Sequence, residues 1–319
     1  MKTVLLITAR FDPTADLLLT ELRRRDVPCV RWNTYEFPLE SALTYRATNH
    51  GFAAEIVSDG RMVDLDTVGS VWWQWDQPGG FPADLVGAER RFAEAEAQLA
   101  LTALVTVGNF VWINHPTRER LALSKPAQLF IARQVGLDIP RTIISNDPAE
   151  VRRFIEQSGT PIVYKAFSQS RNMDGNVLYT GLVTDEKLEN LDRIRLTPGI
   201  FQERIEKSHE LRITVVGSHA FSARIDSQAH AETKLDWRRA QHDVGYQAVD
   251  LPHEVEAKIH AFMRAFGLIY GAFDFIVTPE GRYVFLEVNP GGAYMWVECA
   301  TGLGITPALA DALTDPCRA

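Results

Sequence analysis

Asp274, Glu287 and Asn289 are the residues of this chain whose types and spacing best suit chemistry. They sit in two apolar runs, Gly271 to Val277 and Tyr283 to Asn289, separated by Pro279-Glu280-Gly281, which is the pattern of a β-hairpin. Side chains alternate along a strand, so Glu287 and Asn289 share one face while Val284, Leu286 and Val288 share the other. A two-residue loop at Glu280-Gly281, or a four-residue loop from Pro279 to Arg282, pairs residue 274 with 287 and residue 272 with 289. Two carboxylates then face each other with Cβ atoms about 5 Å apart, which is unfavourable unless something positive lies between them. A divalent cation is the natural remedy. Two carboxylates and an amide oxygen suit Mg2+, which completes its octahedron with water and substrate phosphates. A three-residue loop would instead put the acids on opposite faces, leaving a plain hairpin with solvent-facing acids.

A magnesium site flanked by isolated cations has the parts for handling a nucleoside triphosphate. Pro126 belongs in the first turn of a helix, which places Lys125 at that helix's start, free to extend. Lys165 ends the strand-like run Pro161 to Lys165. In the strand Glu210 to Val216, alternation puts Glu210, Arg212 and Thr214 on one face; in His219 to Asp226, Ser222, Arg224 and Asp226 share a face. Lys125, Lys165 and Arg212 can line the phosphates, with Arg212 and Arg224 as candidate catalytic cations; Arg224 has a competing partner in Asp226. Arg238 and Arg239, after Asp236-Trp237, can fork onto substrate carboxylates, since guanidinium matches carboxylate geometry. For each lysine the bland alternative is a solvated surface charge. No Walker-type lysine motif or dinucleotide fingerprint is present, which disfavours a P-loop or Rossmann explanation.

The elements needed to position these groups are legible in outline. Val4 to Thr8, a helix from Thr14 to Arg25 and a strand from Cys29 to Trp32 open a parallel α/β unit. Leu43 to Arg46, Phe52 to Val57, Met62 to Leu65 and Val71 to Trp75 read as further strands, with Trp72, Trp73 and Trp75 as buried strand residues rather than a recognition surface. Leu85, Ala88, Phe92, Ala95, Leu99, Ala103 and Val107 recur at helical spacing and predict a long amphipathic helix. The unit should end near Asn114-His115-Pro116. Beyond it come a strand from Ile139 to Ile144, a helix from Pro148 to Gln157 capped by Asp147, the Lys165 strand, a polar loop from Ser168 to Asn176 and a strand Val177-Leu178-Tyr179. Strands at Ile200 to Ile205, 210–216 and 219–226, a helix from His253 to Phe266, the acidic hairpin and a helix from Thr306 to Leu313 complete the chain. The division is therefore 1–115, 116–198 and 199–319, in a mixed α/β (α+β) chain.

The 319 residues suffice for several packed units, and 46% apolar with 23% charged residues is ordinary for a globular protein, so disorder should not dominate. A net charge of −8 argues against a general nucleic-acid binder. Cys29, Cys299 and Cys317 show neither metal spacing nor a disulfide framework, which fits a reducing cytoplasm. No run reaches membrane-spanning length, and the opening Val4 to Thr8 is too short for a signal-peptide core.

Taken in order, Lys125, Lys165, Phe201-Gln202-Glu203-Arg204-Ile205, Glu210-Leu211-Arg212, Asp274, Glu287 and Asn289 resemble the ATP-grasp superfamily. The resemblance implies two phosphate-binding lysines, a hinge strand from Gln202 to Ile205 that receives adenine, and Glu210, seven residues after Glu203, holding the ribose. It implies Asp274, Glu287 and Asn289 as metal ligands and ATP with Mg2+ as cofactors. The opening strand with Phe11-Asp12-Pro13-Thr14-Ala15-Asp16, then Asn114-His115-Pro116, Lys125-Pro126-Ala127-Gln128-Leu129, Asp236-Trp237-Arg238 and Phe285-Leu286-Glu287-Val288-Asn289-Pro290, look like the ATP-grasp ribosomal-peptide maturases, the graspetide or microviridin-type ligases. That likeness implies an N-terminal pre-ATP-grasp domain on an ATP-grasp fold. It also implies a precursor peptide, leader plus acidic core, whose Asp or Glu side chains are activated as acyl phosphates and joined to hydroxyl or amine side chains, releasing ADP and phosphate. A homodimer is compatible with the likeness. Trp72-Trp73-Gln74-Trp75-Asp76 departs from the family's usual aromatic followed by arginines. The rival readings are a ligase that adds a free amino acid to a peptide, protein or small acid, and a non-catalytic nucleotide-binding regulator.

Overall fold

The computed structural model describes residues 2–74, 77–167 and 179–315. The expected Ser168-to-Asn176 loop and Val177-Leu178, together with Trp75, Asp76 and Cys317, lie outside the described residues. In chain order the elements are β1 (Thr3–Thr8), α1 (Pro13–Arg24), β2 (Cys29–Asn33), β3 (Ser41–Thr48), β4 (Gly51–Ser58), β5 (Arg61–Asp64), β6 (Val68–Trp73), α2 (Gly87–Val107) and β7 (Val111–Ile113). Next come α3 (Pro116–Ala122), α4 (Lys125–Gln134), β8 (Thr142–Ser145), α5 (Pro148–Glu156), β9 (Ile162–Lys165), β10 (Gly181–Leu182), α6 (Asp185–Glu189) and β11 (Gly199–Glu203). The remainder is β12 (His209–Val216), β13 (His219–Ile225), β14 (Tyr246–Ala248), α7 (His253–Phe266), β15 (Tyr270–Val277), β16 (Tyr283–Asn289), α8 (Met295–Thr301) and α9 (Ile305–Thr314).

The first sheet has the order β2-β1-β6-β7, all parallel. A parallel sheet must be covered on both faces, and β1 shows why it is: Val4 and Leu6 pack with α1 and α9, whereas Leu5 and Ile7 pack with α2 and the antiparallel β3-β4-β5 sheet. Trp72 and Trp73 are buried on these two sides, as expected. Helix α1 starts where it does because Pro13 sits in its first turn and Asp12 accepts from the Ala15 amide at 3.1 Å. The apolar stripe expected for α2 is not its buried face. Phe92 and Leu99 are exposed, and Ala97, Leu101 and Leu104 face the core instead. Both sets recur at helical spacing, and packing under the small sheet selects the second.

The second sheet, β10-β9-β11-β8, is antiparallel and backed by α5, where Asp147 caps as expected. By hydrogen bonding, strand β11 joins this sheet, because Phe201 pairs with both Ile143 and Tyr164. The third sheet, β14-β13-β12-β15-β16, packs one face on α4 and α7 through Phe262, Phe273, Phe275 and Phe285. Helix α9 then returns to the first sheet, where the Ser70 hydroxyl donates to Leu313 O at 2.6 Å and Arg25 pairs with Asp311 at 2.5 Å. None of the described helices is long and apolar enough to cross a membrane.

The acidic hairpin follows neither simple register. Its loop is three residues long, since Thr278 N bonds to Arg282 O and Val277 pairs with Tyr283, the case that would separate the acids. A β-bulge restores the pairing: the register shifts between Asp274 and Phe275, so that Asp274 still faces Glu287 and Ala272 faces Asn289. The bulge also turns Leu286 from the expected apolar face into the cavity beside Glu287, while Phe285 and Val288 stay in the core.

Candidate active site

The second and third sheets, α3, α4 and the segment after β6 line a cavity of about 870 Å³. Asp274, Glu287 and Asn289 line it together, with Asn289 Nδ2 3.1 Å from an Asp274 oxygen. Protein cations compensate the opposed acids. Arg212, on the strand next to Asp274, places Nη1 3.1 Å from both of its oxygens, and Lys125 Nζ lies 2.5 Å from Glu287. Burial pushes the Asp274 carboxyl above the usual range, opposed by Arg212 and reinforced by Glu287. Burial acts on Glu287 too, but Lys125, Lys165 and Arg238 outweigh it and hold that carboxyl low. The donors, all oxygen once the Asn289 amide turns its carbonyl inward, fit magnesium.

Lys125 reaches Glu287 because α4 is pinned to β16. Gln128, one turn further on, is buried, donates to Ala122 O at 2.7 Å and Val288 O at 2.9 Å, and accepts from Val288 N at 3.0 Å. Lys165 ends β9 and donates to Gln202 Oε1 at 2.8 Å, while Gln202 Nε2 is fixed by Thr142 at 3.0 Å. Burial lowers the Lys165 ammonium, with Glu287 opposing. Glu203 and Ile205 line the same wall, the former accepting from Arg141 N at 2.9 Å. Glu210 is only 7% exposed and pairs with Lys207 at 2.9 Å. Its second oxygen, Oε2, has no partner among the described residues, and burial raises its carboxyl against the pull of Lys207.

Arg212 is held by Asp274, by Ala293 O at 3.4 Å and by the face of Trp296, 5.8 Å from its guanidinium carbon. Gly292 is required here: a Cβ would stand 2.7 Å from Arg212 Nη2. Arg238 reaches the cavity, locked in a two-point pair with Asp236 at 2.8 and 2.6 Å that keeps its guanidinium strongly basic. Burial works against Asp236, yet Arg238 and the Thr180 amide hold it low.

Two candidates are not brought in. Arg224 pairs across the sheet with Leu211, on the face opposite Arg212, and binds Asp226 at 2.8 Å. Arg239 is exposed, donating to Thr180 O at 3.2 Å above the Tyr179 ring. Sequence reasoning missed Lys207, Gln74, Glu119 and Trp296, all of which line the cavity. Only Lys207 left a signal, three residues before Glu210. Asn114, at the expected first boundary, ties the N-terminal sheet to the site: it accepts from Ile269 N and Tyr270 N at 2.9 Å and donates to Tyr270 O and Pro290 O at 2.8 Å.

Residues 3–120 match the model of the MvdD pre-ATP grasp domain. The macrocyclase MdnC from Microcystis aeruginosa MRC, solved with its precursor peptide MdnA, is 33% identical over 98% of this chain and 99% of that one, with a TM-score of 0.89. The chain belongs to the macrocyclase family of ATP-grasp ligases. Macrocyclase MdnB from the same organism is 32% identical over 99% of this chain and 100% of its own, with a TM-score of 0.84. A Chryseobacterium gregarium RiPP-associated ATP-grasp ligase, solved with ADP and a leader and core peptide, is 29% identical over 99% and 97% of the two chains, with a TM-score of 0.91. Among curated protein sequences none matches. The ATP-grasp fold and the N-terminal pre-ATP-grasp unit are thus those of a macrocyclase.

Proposed function

We propose that this ligase uses ATP to activate Asp or Glu side chains of a ribosomal precursor peptide, leader plus acidic core, and closes them onto hydroxyl or amine side chains of the same peptide. The observation that carries the reading is one cavity in which two opposed carboxylates, Asp274 and Glu287, are neutralised by Arg212 and Lys125 beside Lys165 and Arg238. Lys125 and Lys165 bind the triphosphate. Gln202, Glu203 and Ile205 take the adenine edge on the hinge strand, and the unpartnered Glu210 oxygen accepts from the ribose. Asp274, Glu287 and Asn289 would hold magnesium, which would supply positive charge against the phosphate oxygens.

A carboxylate oxygen is a poor leaving group, so the substrate acid first attacks the γ-phosphorus and ADP departs. Arg238 orients that acid with its forked guanidinium. Arg212 stabilises the charge that develops on the carbonyl oxygen as a nucleophile forms its bond to carbon and the C–O bond to phosphate breaks. The division into an N-terminal unit to 115, a central unit and a C-terminal unit fits this plan, with β11 as the hinge.

Incubation with the cognate precursor, read by mass spectrometry and nucleotide analysis, should give ADP, phosphate and a product lighter by one water per bond. AMP and pyrophosphate would overturn the mechanism. A product heavier by an amino-acid residue would point to amino-acid ligation instead.

A further inference from the structure

The cavity is uneven in charge. Lys125, Lys165, Lys207 and Arg238 line it as cations, whereas Gln74, just after β6, and Glu119 of α3 add an amide and a carboxylate. The two residues that follow Pro290 lie next to Gln74, Glu119 and Arg212. A Cβ on Gly291 would meet a Glu119 carboxylate oxygen at 3.1 Å and the Gln74 amide at 3.8 Å; one on Gly292 would meet Arg212 Nη2 at 2.7 Å. A carboxylate and a guanidinium therefore border the cavity over adjacent residues, whose Cα atoms are about 3.8 Å apart.

Helix α3 holds Glu119 firmly. His115 Nδ1 accepts from Thr117 N at 3.3 Å at its start, Arg118 reaches Gly267 O at 3.1 Å, and Gln128 holds Ala122 O at its end. Glu119, Arg212 of β12 and Asp12 before α1 all act electrostatically on the buried Tyr270 hydroxyl. A triphosphate repels a carboxylate, and so does the acid to be activated. What a fixed carboxylate selects is a cation. In the second half-reaction one partner fits that description: an amine, positively charged at neutral pH.

Building on the ligase reading above, we infer that Glu119 receives the attacking nucleophile, and that this nucleophile is a lysine-type amine, so that the product is an amide. The ammonium docks against Glu119 and Gln74 while the acyl phosphate carbonyl lies toward Arg212. One ammonium proton passes to Glu119, the freed nitrogen lone pair forms its bond to the carbonyl carbon, the carbon–oxygen bond to phosphate breaks, and the second nitrogen proton leaves with inorganic phosphate. Glu119 then returns the proton to solvent.

The test uses the full chain with ATP and Mg2+, a synthetic peptide rich in Asp and Glu with a single lysine, its serine counterpart, and hydroxylamine as a small neutral nucleophile. Crosslink formed per ADP released is the readout. Wild type should close the lysine peptide in preference to the serine peptide. Glu119→Gln should lower the ratio about 100-fold near pH 7, regain about tenfold per pH unit toward the lysine pKa of about 10.4, and still yield hydroxamate. Glu119→Asp should restore part of the ratio. Equal use of the serine peptide, an unchanged ratio in Glu119→Gln, or loss of hydroxamate along with crosslink would overturn the inference. Release of AMP by the wild type, or no ADP with either peptide or hydroxylamine, would instead overturn the ligase reading itself and the inference with it.

Discussion

Replacing Arg212 by Met tests the charge balance at the centre of the site. Arg212 is 7% exposed, and its guanidinium meets both Asp274 oxygens at 3.1 Å. Removing one partner of a buried pair costs about 3–5 kcal/mol, because the remaining charge loses its compensation. Asp274 has an escape, which is to take up a proton. Its folded-state pKa is already raised by burial, and losing Arg212 raises it further. The native state then holds a proton that the unfolded chain, with an Asp pKa of about 3.9, has released. Stability therefore falls as pH rises above the unfolded value, by about 1.4 kcal/mol per pH unit, until Asp274 ionises in the folded state. The deficit of Arg212→Met should be small near pH 4 and reach its full size near neutrality. In a melt followed by tryptophan fluorescence, that corresponds to a Tm loss on the order of 5–10 °C at pH 7, shrinking as pH is lowered. Adding Asp274→Asn should recover most of it, a coupling a double-mutant cycle measures directly. A Tm loss that is the same at every pH, or one that Asp274→Asn leaves untouched, would refute the reasoning.

Gln128→Leu strips partners from Ala122 O and from Val288 N and O; at about 1–3 kcal/mol per buried group left unsatisfied, it should lower Tm measurably and raise the KM for ATP as Lys125 loses its anchorage. Gly292→Ala, whose methyl would press on Arg212 and Ala272 at 2.7 and 2.8 Å, should reduce kcat at least tenfold with a smaller change in KM for ATP, as steady-state kinetics would show. Arg224→Ala should leave kcat/KM within about twofold, since its partner is Asp226 on the face away from the cavity; a loss of tenfold or more would return Arg224 to the reaction centre. Glu210→Gln should weaken nucleotide binding in calorimetry and remove the fall in stability that a raised carboxyl pKa causes as pH rises from about 4.3.

The candidate site was legible wherever chemistry and local spacing coincide. The Lys125 helix start, the Lys165 strand end and the Glu210-to-Arg212 alternation are each set by one element, and the structure brings these residues into one cavity. Alternation alone stops short where two strands must be aligned. It groups Ser222, Arg224 and Asp226, but the β12–β13 register decides which face they occupy, and pairing Arg224 with Leu211 sends it away. The hairpin shows the same limit in reverse. Its three-residue loop predicts separated acids, and the bulge that reunites them leaves no mark in the composition of either strand. Helix α2 carries two apolar stripes, so periodicity gives the helix but not its buried side. Glu119 and Gln74 were illegible because they matter only where helix α3 and the segment after β6 meet the loop after β16.

One consequence joins the fold to the proposed chemistry. The charges of Asp274 and Glu287 are balanced by Arg212 and Lys125, the same cations that the proposed reaction asks to face phosphate and developing oxyanion. These groups are therefore held in place by protein partners, and the proposed reaction asks them only to exchange one anion for another. Gln128 and Asn114 keep the backbone still during that exchange, because they grip the residues on either side of the acids, Val288 and Pro290, at fixed hydrogen-bond distances. A cation that is already desolvated and oriented contributes far more to a transition state than one recruited from solvent. Hence variants that move these cations without removing them, Gly292→Ala foremost, should damage turnover more than nucleotide binding.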